Sequence, residues 1–364
     1  MKASTGKIAA VTLSALVAAG NVGCYSSGSS NYNPPPPSTP ILNSLSTITT
    51  LGSTLDPQNG DQNPYGLAIA PISAGLIAAG DLVVCNFNDG PTNTQGLGTT
   101  IIGLHPDGHS MPYRIAQSAS LKGCSEIALL PDDSIAAAAN QANDNPVVTP
   151  NGSVTNPFAA DTFSGPWGET YVAYLGTTAL YVSNTGTGVI DRISLMNGQQ
   201  TAFTEIVTGF SVNHGVPGSI LAPAGLTYNS ANDTLYVVDS NQNRVVALSR
   251  VSQIGMDGVV VSGAGFSGPS AASASVIASG APLNGPLSAA LLVNGDLVVG
   301  NTLDPTGTNL LIEVSPTAGV VATRNVDTGA GAALFGIAAS GTSAANQVIY
   351  FNDDNDNTVK KLSN

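Results

Sequence analysis

Three runs of sequence, PAGLT at 223–227, LYVVD at 235–239 and NRVVAL at 243–248, contain the pattern that the rest of the chain repeats. Val, Leu and Tyr dominate these runs, and Gly, Asn and Asp separate them, which is typical of short β-strands joined by tight turns. A sheet of three or four such strands cannot bury both of its faces by itself. The pattern therefore predicts sheets that stack against neighbours of the same kind.

The same unit occurs six times along the chain. Its first copy includes PYGLAI at 64–69, DLVVCN at 81–86 and TIIGL at 100–104. In every copy the second run ends in Asn or Asp, and these ends are Asn86, Asn140, Asn184, Asp239, Asn301 and Asn352. They lie 44 to 62 residues apart, more than the roughly 40 to 45 residues of a minimal four-stranded blade. We therefore predict an all-β fold, a six-bladed β-propeller with insertions in its loops.

The PxGLA and LYVVDSNQNRVVAL elements resemble the repeats of NHL-repeat propellers. The resemblance covers most of residues 64–362 and is clearest in the first, fourth and sixth copies. The second copy is the weakest, because the alanines at 136–139 form strands poorly and its third strand must lie within 145–157. A Ser-, Gly- and Ala-rich stretch at 261–280 is interpreted as a surface loop.

The sequence also contains a candidate strand for closing the ring. The last copy has only three strands, and the third is TVKKL at 358–362. STITTL at 46–51, ahead of the first blade, has the β propensity of the missing outer strand. We expect this N-terminal strand to complete the last blade, which would remove exposed sheet edges.

Composition excludes some functions. The chain has 364 residues, 10 Lys and Arg against 23 Asp and Glu, a formal charge of −13 and a pI near 4.2. Such a chain offers no basic surface for a phosphate backbone, so we expect no nucleic-acid partner. Charged residues make up only 9%, which disfavours long charge-rich helices. We expect a monomer.

The N-terminus has the features of a secretory signal at residues 1–23. Lys2 and Lys7 precede an apolar stretch at 8–20, which is too short for a comfortable membrane span. Loss of the two lysines would change the formal charge from −13 to −15. The sequence therefore predicts an exported protein.

Cys24 follows NVG at 21–23 as in a bacterial lipobox, although Asn21 departs from that pattern. We expect lipidation of Cys24, with ordinary signal cleavage as the alternative. Residues 24–40, rich in Ser and Pro, would form a tether ahead of a propeller domain at 41–364. The predicted location is the outer membrane or cell surface, and otherwise the periplasm or medium.

Export permits disulfides. If Cys24 carries lipid, Cys85 and Cys124 are the two cysteines left, and they could pair with each other. Cys85 lies near the end of a second strand, and Cys124 lies just before the first strand of the next blade. Antiparallel strands bring these positions to one face of adjacent blades. A disulfide and two buried free thiols are both consistent with this placement.

The first strand of each propeller blade lines the central channel. Aligned copies put six residues at one level there: Gly66, Glu126, Gly168, Gly225, Ser288 and Gly336. Glycine allows close approach of the inner strands. A carboxylate at Glu126 would have a raised pKa, which makes it a candidate catalytic group or metal ligand. The alternative is hydrogen bonding to channel water or backbone amides. Glu169, one position further on, is expected to face between blades or the rim.

The rim of the propeller supplies further candidates. The strand ends Asn86, Asn184, Asp239, Asn301 and Asn352 would lie at one face and could bind a carbohydrate, peptide or cation. Capping of their own turns is the favoured interpretation.

Two aromatic residues, Tyr65 and Trp167, precede channel glycines and are expected at the funnel mouth. There they would either stack on a ligand or fill space between the inner strands.

An acidic run, DDNDN at 353–357, contains the densest set of oxygen ligands. Asp353, Asp354 and Asp356 are weak metal candidates, because the run lacks the Gly and Glu of an EF-hand loop. An ordinary acidic turn is the preferred interpretation. We predict no cofactor, with calcium or another divalent cation as the alternative.

Two enzyme families have similar propellers. Sugar lactonases hold a divalent cation with Glu, Asn and Asp near the axis, where Glu126 could supply the Glu. Streptogramin lyases use a His, for which His214 in the loop before the fourth blade is the candidate. His105 and His109 flank a turn between outer strands.

The sequence favours an exported, lipid-anchored propeller that acts as a binding scaffold. Its predicted partner is a protein or carbohydrate, with membrane contact only through the lipid anchor. The alternative is a metal-dependent lactonase-like hydrolase or a lyase that uses the central funnel.

Overall fold

The computed structural model describes residues 39–158, 163–303 and 308–364. The predicted signal segment, Cys24 and the tether up to residue 38 lie outside these residues. Within them the chain forms six sheets, and the inner strands of the sheets contact one another in a closed ring. This confirms the predicted all-β six-bladed propeller. No helix in the described part of the chain is long and apolar enough to cross a membrane.

The strands follow one another in blade order. They are β1 (Thr47–Ser53), β2 (Gln62–Ile69), β3 (Leu82–Asn88), β4 (Thr100–Leu104), β5 (Tyr113–Gln117), β6 (Cys124–Leu129), β7 (Ile135–Ala139), β8 (Val147–Val148), β9 (Val154–Thr155), β10 (Pro166–Tyr174), β11 (Thr177–Asn184), β12 (Val189–Met196), β13 (Gln199–Thr208), β14 (Pro223–Asn229), β15 (Thr234–Asp239), β16 (Arg244–Ser249), β17 (Val259–Ser262), β18 (Gly265–Ser267), β19 (Ala274–Ser279), β20 (Pro286–Leu291), β21 (Leu297–Asn301), β22 (Asn309–Ser315), β23 (Gly319–Asp327), β24 (Leu334–Ser340), β25 (Val348–Asp353) and β26 (Thr358–Ser363). A single α-helical turn, α1 (Ile41–Ser44), precedes them among the described residues.

The sheets have the strand orders expected of blades. Blades one, two and five are β2-β3-β4-β5, β6-β7-β8-β9 and β20-β21-β22-β23, and blade four is β14-β15-β16-β19. Blade six has the order β1-β26-β25-β24, with Thr47 opposite Ser363 and Ser53 opposite Thr358. The N-terminal strand therefore completes the last blade from outside, as predicted.

Blade two forms despite its weak sequence. The alanines of β7 are fully buried between blades, and β8 lies inside the predicted range 145–157. Tertiary packing here overrides the low strand propensity of Ala, because a small side chain suits a closely packed interface between sheets.

The prediction of a surface loop at 261–280 was wrong. Strand β19 within it is the outer strand of blade four. The hairpin β17–β18 instead extends blade three, since β17 pairs with β13 in parallel and Val207 lies opposite Val259. Val259 and Val261 are buried there, and burial of this alternating apolar pattern explains why the segment becomes strand.

Two faces of the propeller are defined by strand direction. We call the upper face the one where first strands begin and second strands end, and the lower face the one that carries the turns between first and second strands and between third and fourth strands. Cys85 and Cys124 form a disulfide near the upper face, with Cα atoms 5.9 Å apart. It joins blade one to blade two.

The chain reaches the propeller at the lower face. Glu313, near the lower end of β22, accepts hydrogen bonds from the N–H groups of Ile41 (3.0 Å) and Leu42 (2.7 Å) at the start of α1. Arg324 donates to the carbonyl oxygen of Leu45 at 2.6 Å. Ile41, Leu42 and Leu45 are buried in a core cluster shared by blades five and six. These contacts hold the chain in place immediately before β1.

Candidate functional site

The six axial positions lie at one level, as the repeat predicts. In each blade the pairing of the first and second strands shifts register at this level, for example between Pro64 and Leu67 in blade one. A Cβ atom placed on Gly66 would lie 3.0 Å from the Cα atom of Glu126, and one placed on Gly225 would lie 2.9 Å from the Cα atom of Ser288. Glycine is therefore required here by close approach of neighbouring inner strands.

Aromatic rings fill the funnel above these positions. Tyr65 stacks on Phe335 at a centroid distance of 3.8 Å and on Phe87 at 4.1 Å, and Trp167 lies 5.8 Å from Tyr65. Only 2% of Tyr65 and 5% of Trp167 is exposed. Of the two roles that the sequence allowed, the structure supports packing, because the rings contact one another and leave little surface for a ligand.

Little space remains on the axis. A cavity of about 10 Å³ lies among the rings, with Ser125, Glu126 and Ser288 in its lining. That volume suits about one water molecule. The hydroxyl of Ser288 donates to the carbonyl oxygen of Phe335, and the hydroxyl of Ser125 has carbonyl acceptors within 3.0 to 3.2 Å. The axis therefore offers a single polar niche rather than an open funnel.

Glu126 is the one carboxylate at the axial level. Its Oε1 atom accepts a 3.2 Å hydrogen bond from the N–H of Ile127. Glu126 is partly exposed, and its side chain lines the small cavity. Burial raises its pKa to about 8, against the opposing effect of the Ile127 and Leu67 N–H groups. The raised pKa favours the protonated form of Glu126 near neutral pH.

Glu169 is a second buried carboxyl, close to Glu126. It is 3% exposed and faces blade two, where the side-chain amide of Asn145 donates to Oε1 at 3.0 Å. Its Oε2 atom and the side-chain amide oxygen (Oδ1) of Asn145 have no hydrogen-bond partner. Burial raises the pKa of Glu169 to about 8, and the charge of Glu126 adds to this effect.

The repeat itself contained a signal for Glu169. The equivalent residues in the other five blades are apolar and pack against the preceding blade: Leu67, Ile127, Leu226, Ala289 and Ile337. The expected alternatives for Glu169 were the space between blades or the rim, and the structure places it between blades. Comparison of its position across copies would have singled it out as a candidate site residue.

The Asn and Asp residues at the second-strand ends do not line an open surface. Asn86, Asn184, Asp239, Asn301 and Asn352 are all buried. The side-chain amide of Asn352 donates to the carbonyl oxygens of Tyr65 (3.1 Å) and Gly66 (3.2 Å), which ties blade six to blade one. Asp239 pairs with Arg244 at 2.7 Å. The structure thus gives these residues capping and blade-joining contacts rather than a free face for a ligand.

The acidic turn near the end of the chain is partly neutralised by one lysine. The ammonium group of Lys360 lies 2.6 Å from Asp353 and 2.9 Å from Asp356. Burial, with the charge of Asp353, raises the pKa of Asp354 to about 6. Across the described residues no group of three or more His, Cys, Asp or Glu side chains is arranged to hold a metal ion.

The three histidines lie away from the axial cavity. His214 is exposed in the loop between blades three and four and has φ of 50°. His105 hydrogen-bonds Asp81 near the lower face of blade one, and His109 is exposed in the adjoining turn. None of the three contributes to the lining of the axial cavity.

A divalent cation of the lactonase kind does not fit the axial residues. Glu126 is one carboxylate among four glycines and Ser288, whose hydroxyl is already used. Divalent cations need several oxygen ligands from the protein or substrate. The axial level does not supply that set.

Replacement of Trp167 by Ala is expected to lower the free energy of unfolding by about 3 to 5 kcal/mol, because it removes a buried ring from the packed funnel. Chemical denaturation measures this change. Met111→Ala, at a position that is 77% exposed, is the control and should change stability little. A ligand-gripping Trp167 with no packing role would instead leave stability unchanged in the free protein.

Comparison with known proteins supports the fold. No protein-family model matches the chain, and no curated protein matches it. Among solved structures, virginiamycin B lyase from Staphylococcus aureus is similar, with a TM-score of 0.51 and 14% identity over 87% of this chain and 99% of that one. A protein provisionally assigned as a gluconolactonase has a TM-score of 0.54 and 10% identity over 89% of this chain and 96% of that one. At these identities the similarity establishes the propeller fold alone, and the NHL-repeat assignment stays a prediction.

Proposed function

We propose that this protein is an exported, lipid-anchored binding scaffold whose rigid propeller presents its loops to a protein or carbohydrate ligand. One observation carries the proposal: the funnel, where a propeller enzyme needs room for substrate, is packed with Tyr65, Phe87, Trp167 and Phe335. A cavity of about 10 Å³ remains. Binding through exposed loops requires no such room.

The upper face has the exposed groups that a scaffold needs. The side chain of Gln95 lies above the rings, and the hydroxyl of Tyr65 donates to its Oε1 atom at 3.4 Å. Gln141 and the loop at 211–219 approach the same place, since a Cβ atom on Gly96 would lie 2.6 Å from Cγ of Gln141 and 3.4 Å from Cβ of Pro217. Exposed amides over an apolar base suit a large ligand that covers the loops.

The anchor is proposed from the sequence. Cys24 in a lipobox-like context, followed by the Ser- and Pro-rich segment 24–40, supports attachment through lipid. Location at the outer membrane or cell surface follows from the same features. The contacts of α1 with Glu313 and of Leu45 with Arg324 are consistent with a tether, because they fix the propeller end of that segment.

The alternative function is a hydrolase or lyase centred on Glu126. The observation in its favour is the raised pKa of about 8, which would make Glu126 a proton donor near neutral pH. The packed rings oppose it, because substrate would have to displace them.

Metal analysis separates these functions. The mature chain with Cys24→Ser, purified without chelator, is expected to carry no stoichiometric divalent ion by mass spectrometry. Its melting temperature is expected to stay the same with EDTA and with added calcium, because the axis lacks a ligand set. A near-stoichiometric ion whose removal lowers the melting temperature, and which Glu126→Gln abolishes, would instead establish the metalloenzyme.

Binding itself is tested by crosslinking in cells that produce the protein. A photo-crosslinking residue in place of Gln95 on the upper face should give a discrete adduct, and the same residue in place of the exposed Asp132 on the lower face is the control. Equal adducts at both positions, or none at position 95, would contradict ligand binding at the upper face.

A further inference from the structure

The lower face carries the two most exposed large apolar side chains of the described residues. Leu175, in the turn between β10 and β11, is 87% exposed, and Met111, between β4 and β5, is 77% exposed. Met196, at the lower end of β12, is 64% exposed. Single exposed apolar residues are common in soluble proteins, but these three project from turns of one face.

Smaller apolar exposure continues around the same face. Ile72 and Leu76 in the β2–β3 connection and Val293 in the β20–β21 turn are each more than two-fifths exposed. Two open recesses of about 490 and 460 Å³ flank the lower end of blade three and share Thr178 and Leu195 in their linings. The face is thus uneven, with apolar side chains on projecting turns.

The lower face is poor in charge although the chain is strongly acidic. Among the described turns of this face, the exposed residues with a fixed charge are few: Asp107, Asp132, Arg250 and Asp257. The formal charge of the whole chain is −13. An anionic surface would therefore meet little repulsion from this face, whatever the charge elsewhere.

The first described residues also lie on this side. Residue 39 is the first described residue, and α1 directly after it is fixed to the lower end of blade five by Glu313. Thr39 lies fifteen positions after Cys24, and an extended chain spans at most about 3.3 to 3.6 Å per residue. A lipid on Cys24 would hold the lower face within roughly 50 Å of the bilayer.

We propose that the lower face rests on a phospholipid bilayer, with the side chains of Leu175, Met196 and Met111 entering its interfacial region. The inference rests on the proposed lipid anchor, which supplies the high local concentration that a few apolar side chains need. The upper face then points away from the membrane, toward the ligand of the scaffold.

Tryptophan fluorescence in vesicles tests this orientation. Leu175→Trp is compared with Val216→Trp, because Val216 is 71% exposed on the upper face. Each mature chain is coupled through the Cys24 thiol to a maleimide lipid in phosphatidylethanolamine–phosphatidylglycerol vesicles that contain brominated lipid. Cys85 and Cys124 are disulfide-bonded and do not compete for coupling.

The expected result is quenching of at least a third of the fluorescence added at position 175 and none of that added at position 216. The native Trp167 is buried and contributes the same background to both variants. Adding Met196→Asp to Leu175→Trp should reduce the quenching at least twofold. Equal quenching at both positions, or none at position 175, would overturn the proposal.

The anchor is tested apart from the face. Because chemical coupling replaces the native lipid, the vesicle result does not depend on processing in the cell. Lipidation of Cys24 is tested by treating cells with an inhibitor of lipoprotein signal peptidase and measuring whether cleavage of the signal segment stops. A protein that does not respond to the inhibitor, together with the expected vesicle quenching, would contradict the native anchor only.

Discussion

The free energy of unfolding is expected to fall when the pH rises from 5 to 8, by about 3 kcal/mol for each of two buried carboxyls. Burial raises the pKa of both Glu126 and Glu169 from 4.5 to about 8. Between these values the folded protein binds more protons than the unfolded chain, so raising the pH favours unfolding. Asp191, with a pKa raised by burial to about 7, changes stability in the same direction.

Amide substitutions identify the carboxyls responsible. Glu126→Gln and Glu169→Gln should each flatten the pH profile measured by chemical denaturation, because Gln does not titrate. Glu169→Gln also keeps an oxygen to accept from Asn145. Asp257→Asn is the matched control, since Asp257 is exposed and has φ of 48°, which Asn tolerates. A wild-type profile that is flat or rises with pH, or Gln variants that keep the full slope, would show that these carboxyls ionise normally.

Loss of the disulfide between Cys85 and Cys124 is expected to lower the free energy of unfolding by about 4 kcal/mol. The cysteines are 39 residues apart, and a cross-link over that length removes roughly this much conformational entropy from the unfolded chain. For a domain of this size the change corresponds to a drop of about 6 °C in melting temperature.

The double variant Cys85→Ala, Cys124→Ala isolates the effect. Calorimetry with and without a reductant should show the drop in the wild type on reduction, and the variant should already melt at the lower temperature. The reductant should then leave the variant unchanged. An equal response of both proteins to reductant would mean that the bond adds no stability.

Prediction from sequence was most successful where the signal is local and repeated. The six second-strand ends located the blades, and the segment at 46–51 was assigned correctly as the outer strand of blade six. The placement of Cys85 and Cys124 on one face of adjacent blades followed from strand direction alone, and the structure joins them. Composition misled at 261–280, where a Ser-, Gly- and Ala-rich sequence indicated a loop but β19 pairs with β16 as the outer strand of blade four, a partner that the local pattern could not indicate.

The candidate site was less accessible to such reasoning. The sequence indicates Glu126 because it interrupts a row of glycines, whereas a place between blades or at the rim does not by itself mark Glu169 as a site residue. Its importance depends on Asn145 of the neighbouring blade, which leaves one oxygen of each side chain without a partner. Tyr65 and Trp167 were placed correctly near the funnel, but the sequence could not decide between a ligand and ring stacking.

The sequence by itself determined the number of blades, the closure of the ring and the chemistry available at each rim. These features depend on strand alternation and turn residues, which act over a few positions and recur in each copy. Only the tertiary structure decided which polar side chains are buried, that the rings fill the funnel, and that exposed apolar residues share the lower face. Those outcomes depend on the distances and angles between blades, which bring together residues far apart in sequence and have no local signature.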